Sequence, residues 1–329
     1  MRGNVTDPKV VHFFDCADVG KTLVKYGREA GYRWRHRPWL PESMRPLDQK
    51  SALPAVTRVQ WGVRRTVEAV RGDVMHIHFG TRAGAANSRP FVPFVMHWHG
   101  TDIRKYYYEG ASKPAVLWGA ERAAHVVYAT PDLRDHAVAV RPDASYLPIP
   151  VNFSELPPWK PTERPTVVFS SRWDESKGGK EQLALLRALK ARLGEDVVFE
   201  GLDWGDQAPA AGALGVRLVP KMPKDRFLQW MAGAHCVVGQ SSGILATSEL
   251  EAVAMGAPTV ISVKAGYYPG SPFLVGEGHE AVAERVHEVL QDPVSAVASS
   301  EGASWVRLHH GPEKLIPQLA GIYRAAAGR

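Results

Sequence analysis

The chain has 329 residues, 45% hydrophobic and 22% charged, which suits two ordinary globular domains, each with its own core. No apolar run approaches the ~18 residues of a membrane span, and the first eight residues lack the apolar stretch of an export signal, so a cytoplasmic protein with reduced Cys16 and Cys236 is expected. The net charge of +6 is uneven: from Lys21 to Gly72 twelve Lys or Arg stand against four Asp or Glu, interleaved with Tyr26, Tyr32, Trp34, Trp39 and Trp61, a composition suited to an anionic partner.

Short apolar strands alternate with helical segments, which predicts an α/β chain with parallel sheets. Residues 10–14 read as the first strand, followed by a loop over 15–21 and a helix over 22–30 that stops at Gly31. Residues 58–70 read as an amphipathic helix with Val59, Val63, Val67 and Val70 on its apolar stripe. Buried strands are expected over 73–79, 91–98 and 126–129, with Thr130-Pro131-Asp132 as a helix start, and 146–151 closes this half. Four prolines between Leu156 and Pro165 mark a stiff connector. The alternation then restarts. Strands are expected over 166–170, 197–200, 216–219, 236–239 and 259–263; helices are expected over 179–192, 224–232, 247–255 and 312–327.

Two motifs carry most of the chemistry. Ser171–Gly178 places Arg172 and Lys177 on a loop between an apolar strand and a helix, and two cations suit a diphosphate. Glu251-Ala252-x-Ala254-x-Gly256-x-Pro258 places a carboxylate on a helix that ends at glycine and proline, and a carboxylate accepts hydrogen bonds from a ribose diol. Together they point to an activated sugar. His97-Trp98-His99-Gly100-Thr101-Asp102 follows a buried strand, and His76 and His78 share one face of the preceding strand. Two His-x-His pairs invite a metal only if their strands are neighbours, and no metal is expected. Asp18-Val19-Gly20-Lys21-Thr22 is not a Walker A loop, because position 15 is Asp15 where the motif needs glycine. Serine-hydrolase elbows, dinucleotide fingerprints and nucleic-acid modules are absent from the sequence.

These pieces resemble the GT-B glycosyltransferases of retaining family 4 over nearly the whole chain, most closely from Thr166 to Val263. The resemblance implies two facing Rossmann-like domains with the substrate cleft between them. The acceptor-side domain would span 1–152, a Pro-rich linker 153–165, the nucleotide-sugar domain 166–311, and a helix over 312–329 would cross back to the first domain. By the same resemblance Arg172 and Lys177 hold the donor diphosphate, Glu251 holds the ribose, and His99 faces the donor sugar, so that Arg172, Lys177 and His99 form the catalytic set. Gly20 would let substrates approach the backbone, Lys21 would add phosphate charge, and His78 and Asp102 would lie on the acceptor or sugar side. The chain departs from the pattern at Gly243, where the family carries the first glutamate of Glu-x7-Glu. The backbone N–H groups of Gly243, Ile244 and Leu245 are then expected to face phosphate or sugar at a helix start.

The expected activity is metal-independent, retaining transfer from a nucleotide-diphospho-sugar, with a UDP-sugar as first choice and no cofactor. The acceptor is not legible. The basic N-terminal half suggests an anionic acceptor or peripheral contact with the inner face of a membrane, and a nucleic-acid acceptor stays open. Two alternatives are a non-catalytic sugar-nucleotide-binding partner protein, motivated by Gly243, and a sugar-nucleotide epimerase of the same fold.

Overall fold

The computed structural model describes residues 7–38, 55–275 and 278–328. Trp39, Arg45 and Lys50 of the basic stretch lie outside these. The chain divides into two compact units, Met1–Pro150 with Pro312–Arg329, and Val151–Gly311.

The first unit runs β1 (Val10–Phe13), α1 (Val19–Glu29), β2 (Trp34–Arg37), α2 (Ala55–Val70), β3 (Val74–His78), β4 (Phe94–Trp98), α3 (Lys113–Arg122), β5 (His125–Tyr128), α4 (Arg134–Val140) and β6 (Ser145–Tyr146). Its parallel sheet has the order β2-β1-β3-β4-β5-β6. Strands β1, β3 and β4 are buried at every residue, as strands covered on both faces must be. Strand β2 is an edge strand of sequence Trp-Arg-His-Arg in which only Trp34 is buried. Charge at the edge discourages further pairing, and it also hides the strand from a hydrophobicity reading. Gly27 of α1 makes room for Trp34: a Cβ there would sit 2.1 Å from the indole.

The stripe of α2, Val56, Val59, Val63, Val67 and Val70, faces outward, each valine 44–66% exposed, while Glu68 and Ala69 are buried and Trp61 packs on Phe13 and Phe14. Glu68 is held there by Arg37 at 2.8 Å and Arg35 at 3.6 Å, so the inward face of this helix is the charged and aromatic one.

The second unit contains β7 (Thr166–Phe169), α5 (Gly179–Leu193), β8 (Val198–Leu202), α6 (Ala208–Ala213), β9 (Arg217–Val219), α7 (Lys224–Ala232), β10 (Cys236–Val238), α8 (Thr247–Ala254), β11 (Thr259–Ile261), β12 (Leu274–Val275), α9 (Gly278–Gln291), α10 (Pro293–Ala298) and α11 (Gly302–His310). The order is β12-β11-β10-β7-β8-β9, again parallel. The proline-rich segment is not a loose tether. The Trp159 N–H donates to Met255 O (3.2 Å), its indole to Ala234 O (2.8 Å), Lys160 N–H to Ala232 O (3.0 Å) and Thr162 N–H to Gly233 O (3.0 Å), so the segment is fastened to the second unit.

Helix α12 (Pro312–Ala326) returns to the first unit. Gln318 donates to Tyr146 O at 2.9 Å, Arg324 pairs with Asp7 at 2.7 Å, and Tyr323 is fully buried against His12, His76 and Trp34.

Candidate active site

In each sheet the chain adds strands to one side and then reverses. The reversal falls between β1 and β3 in the first sheet and between β7 and β10 in the second. Open α/β sheets hold ligands at the carboxyl ends of the strands flanking such a switch point. The loops following β7 and β10 are the ones that carry Arg172, Lys177 and Gly243–Leu245.

The two loops are joined. Ser241 N–H donates to Lys177 O at 3.1 Å, and Gly178 (φ +72°) lies so close to Ser241 that a Cβ would meet its carbonyl oxygen at 2.6 Å. Arg172 is ion-paired to Asp174, donates to Ser176 Oγ at 3.1 Å, and lies 5.3 Å from the Trp204 ring. Lys221 Nζ sits 3.9 Å from the centroid of the same indole. Trp204, at the end of β8, thus gathers two cations beside the β7 loop; neither periodicity nor a motif marked it.

The β10 loop is organised by a carboxylate near the start of α8. Glu249 is fully buried and accepts the N–H groups of Gln240 (2.6 Å) and Ala246 (2.7 Å). Burial pushes its carboxyl up to about 7 against those hydrogen bonds and the charge of Lys177. Gly243 has φ +76°, pairs with Val263 as a lone bridge, and accepts Lys264 N–H at 2.9 Å. A left-handed backbone explains glycine where the family pattern has glutamate. The Leu245 N–H, expected to face phosphate or sugar, donates to Tyr268 Oη at 3.0 Å. Glu251 is buried on α8 and paired with Lys224 Nζ at 2.5 Å, which ties it to the start of α7.

In the first unit the loops after β1 and β3 carry backbone strain. Phe14, Ala17, Asp18 and Phe79 all have positive φ, between 52° and 77°. Such conformations cost about 1–3 kcal/mol each and concentrate at functional sites. The Asp15 carboxylate accepts the N–H groups of Cys16, Gly20 and Lys21 (2.7–3.1 Å) and meets His36 Nε2 at 3.1 Å. The Gly20 N–H is thus used by Asp15, and a Cβ on Gly20 would sit 3.0 Å from His78 Nε2. The Lys21 N–H is held by Asp15 in the same way.

Asp102 is fully buried, and its two oxygens accept the N–H groups of Gly80, His99, Gly100 and Ile103 at 2.8–3.2 Å. It clamps the loops after β3 and β4. His78 is fully buried, with both ring nitrogens engaged by His12 (3.1 Å) and His99 (3.0 Å). His99 is the half-buried member at the end of β4.

The two His-x-His strands are neighbours, with His78 in register with His97, and β1 adds His12. The triads His12–His76–His78 and His78–His97–His99 each bring ring nitrogens within 4.8 Å. Their rings stack face to face (His12–His76 at 4.5 Å, His76–His78 at 4.4 Å, His97–His99 at 4.1 Å), whereas ligands of one ion aim their nitrogens at a common centre. Burial, followed by the neighbouring imidazoles, holds His76, His78 and His97 well below the usual histidine range. His12 is brought down to about 3 by burial and His36, with Asp15 opposing. His99 is lowered by burial against the pull of Asp102 and Asp15.

The sequence matches no protein-family model and no curated protein. Solved structures resemble the chain over nearly its whole length. Sucrose-phosphate synthase from Thermosynechococcus elongatus has TM-score 0.71 at 15% identity, covering 96% of this chain and 98% of that one. Anabaena HepE in complex with UDP and glucose has TM-score 0.68 at 13% identity, covering 95% and 98%. AviGT4, a glycosyltransferase involved in avilamycin A biosynthesis, has TM-score 0.63 at 18% identity, covering 98% and 99%. The chain therefore has the GT-B fold, built from two Rossmann-like units.

Proposed function

We propose that this chain is a glycosyltransferase that takes its sugar from a nucleotide-diphospho-sugar, with UDP as the favoured carrier. The observation that carries the proposal is the joined pair of loops at the β7–β10 switch point, where Arg172 and Lys177 stand on one loop and Gly243 on the other. The structural likeness to HepE with UDP and glucose supports the choice of carrier.

In this reading the cations Arg172 and Lys177 stabilise the charge that grows on the departing diphosphate, an electrostatic term of about 2.7–4 kcal/mol per lost contact. Asp174 holds the Arg172 guanidinium in place until the phosphate competes for it. Glu251 offers the ribose clamp, oriented by Lys224. Transfer is retaining and metal-independent, and the departing phosphate takes the acceptor proton. The acceptor is anionic or lies at a membrane surface: the outward valine stripe of α2 is flanked by exposed Arg64 and Arg71, which suits an anionic lipid headgroup layer.

A thermal-shift panel of UDP-, GDP-, ADP- and dTDP-sugars tests the donor. A ligand at a hundredfold its Kd adds about 2.7 kcal/mol, a shift of several degrees. The expected result is a shift with a UDP-sugar that is lost in Arg172→Ala/Lys177→Ala. No shift with any of the four, or an undiminished shift in the double variant, overturns the proposal. Binding without turnover against any acceptor would make the chain a sugar-nucleotide-binding subunit.

A further inference from the structure

Five imidazoles and one phenol in the first unit form an unbranched chain of hydrogen bonds. His97 Nδ1 meets His76 Nε2 at 3.2 Å and His76 Nδ1 meets Tyr323 Oη at 2.5 Å. Tyr323 Oη meets His12 Nε2 at 2.9 Å, His12 Nδ1 meets His78 Nε2 at 3.1 Å, and His78 Nδ1 meets His99 Nε2 at 3.0 Å. All members but His99 are fully buried.

A neutral imidazole has one N–H and one bare nitrogen, and a phenol has one O–H. Each interior imidazole therefore donates once and accepts once, and the buried Tyr323 O–H avoids being orphaned only by donating to one of its two imidazoles, so fixing the sense of one bond fixes all five. In one sense His99 donates inward and the far end leaves a His97 Nε2–H. In the other sense His97 donates, every bond points toward His99, and His97 Nε2 is a bare lone pair. His97 Nε2 is buried with no partner among the described residues. An orphaned buried N–H is the rarer and costlier outcome, which favours the second sense.

We propose that Tyr323, His12 and His78 are positioning residues that hold His99 as a neutral imidazole with its proton on Nδ1, so that His99 presents a hydrogen-bond donor outward. Ordering by the buried chain makes His99 a fixed donor instead of an imidazole free to exchange tautomers. The part His99 then plays toward the sugar rests on the glycosyltransferase reading; its tautomer does not. The charged groups that act on it are the carboxylates of Asp102 and Asp15; the stack imidazoles beside it are neutral.

The test is 15N–1H correlation of the ring nitrogens in histidine-labelled, ligand-free full-length protein, with His99 assigned through His99→Gln. In the wild type, His99 is expected to show one protonated Nδ1 and a bare Nε2 at pH 7, with no change on adding Zn2+. In Tyr323→Phe, which severs the chain but keeps the ring, His99 is expected to give averaged tautomer signals. His12→Phe cuts the same link from the other side and should reproduce this if Tyr323→Phe folds poorly. With a working donor, kcat is expected to fall by about tenfold in either variant while KM for the donor stays within about twofold. A wild-type His99 protonated on Nε2, a Zn2+-shifted signal, or an unchanged tautomer in a folded severed variant overturns the proposal. Absence of turnover with every donor, beside the expected tautomer, counts against the glycosyltransferase reading alone.

Discussion

Glu249 and Gly243 show how single residues shape the β10 loop. Glu249→Ala would strip the Gln240 and Ala246 N–H groups of their acceptor, at about 1–3 kcal/mol each, and urea unfolding is expected to show the second unit weakened by roughly 2–6 kcal/mol. Glu249 also has a pH signature. Its folded carboxyl, raised to about 7, holds a proton that the unfolded chain has already released, so its contribution is present below the ordinary carboxylate range and is lost as pH rises through about 7. Glu249→Gln should flatten that dependence. Gly243→Glu would place the first carboxylate of a Glu-x7-Glu pattern on a backbone at φ +76°, with the new Cβ 3.3 Å from that of Lys264. A cost of about 1–2 kcal/mol follows, and calorimetry is expected to show weaker donor binding in this variant, not stronger. The presence of glycine at this position was legible in the sequence; its reason was not, because a positive φ leaves no trace in hydrophobic patterning. The same holds for Asp102, whose four backbone partners come from two loops that only the folded sheet brings together.

Among the elements, the strands with apolar runs were readable to within a few residues, as were α5, α7, α8 and α12. Among those that escaped, strand β2 is masked by arginines suited to its edge position, α6 and α10 are only six residues long, and the longer α3, α9 and α11 went unread. The apolar stripe of α2 was legible, but its outward direction was not, since periodicity marks a face without saying what covers it. Val59→Asp with Val63→Asp should therefore change stability by no more than about 0.5 kcal/mol per site, yet abolish co-sedimentation with anionic vesicles if that stripe meets lipid. Retained binding would remove lipid as its partner. The histidine-bearing strands β1, β3 and β4 carry a different prediction. Their imidazoles are held neutral in the fold and become protonated in the unfolded chain below about pH 6.5. Stability is thus complete above that value and falls as pH drops toward the depressed folded values, by about 1.4 kcal/mol per pH unit for each histidine involved. Urea midpoints of the first unit measured from pH 7.5 to 5 should fall steeply, and a flat profile would contradict the burial of the stack.

Across the whole molecule, the two sheets share one plan, and their switch points were invisible before strand order was known. The sequence supplied the loop residues; topology supplied the reason two of those loops adjoin. The chain passes from the first unit to the second at Pro150–Val151 and back at Gly311–Pro312, and this has a bearing on biosynthesis. A ribosome finishes every residue of the second unit before it makes the helix that supplies Tyr323. Domains usually mature from the amino end; here the later-coded unit can be complete first, while the earlier one waits for its last segment. A nascent chain arrested at Gly311 is expected to resist protease over 151–311 and to be cut within the first 150 residues.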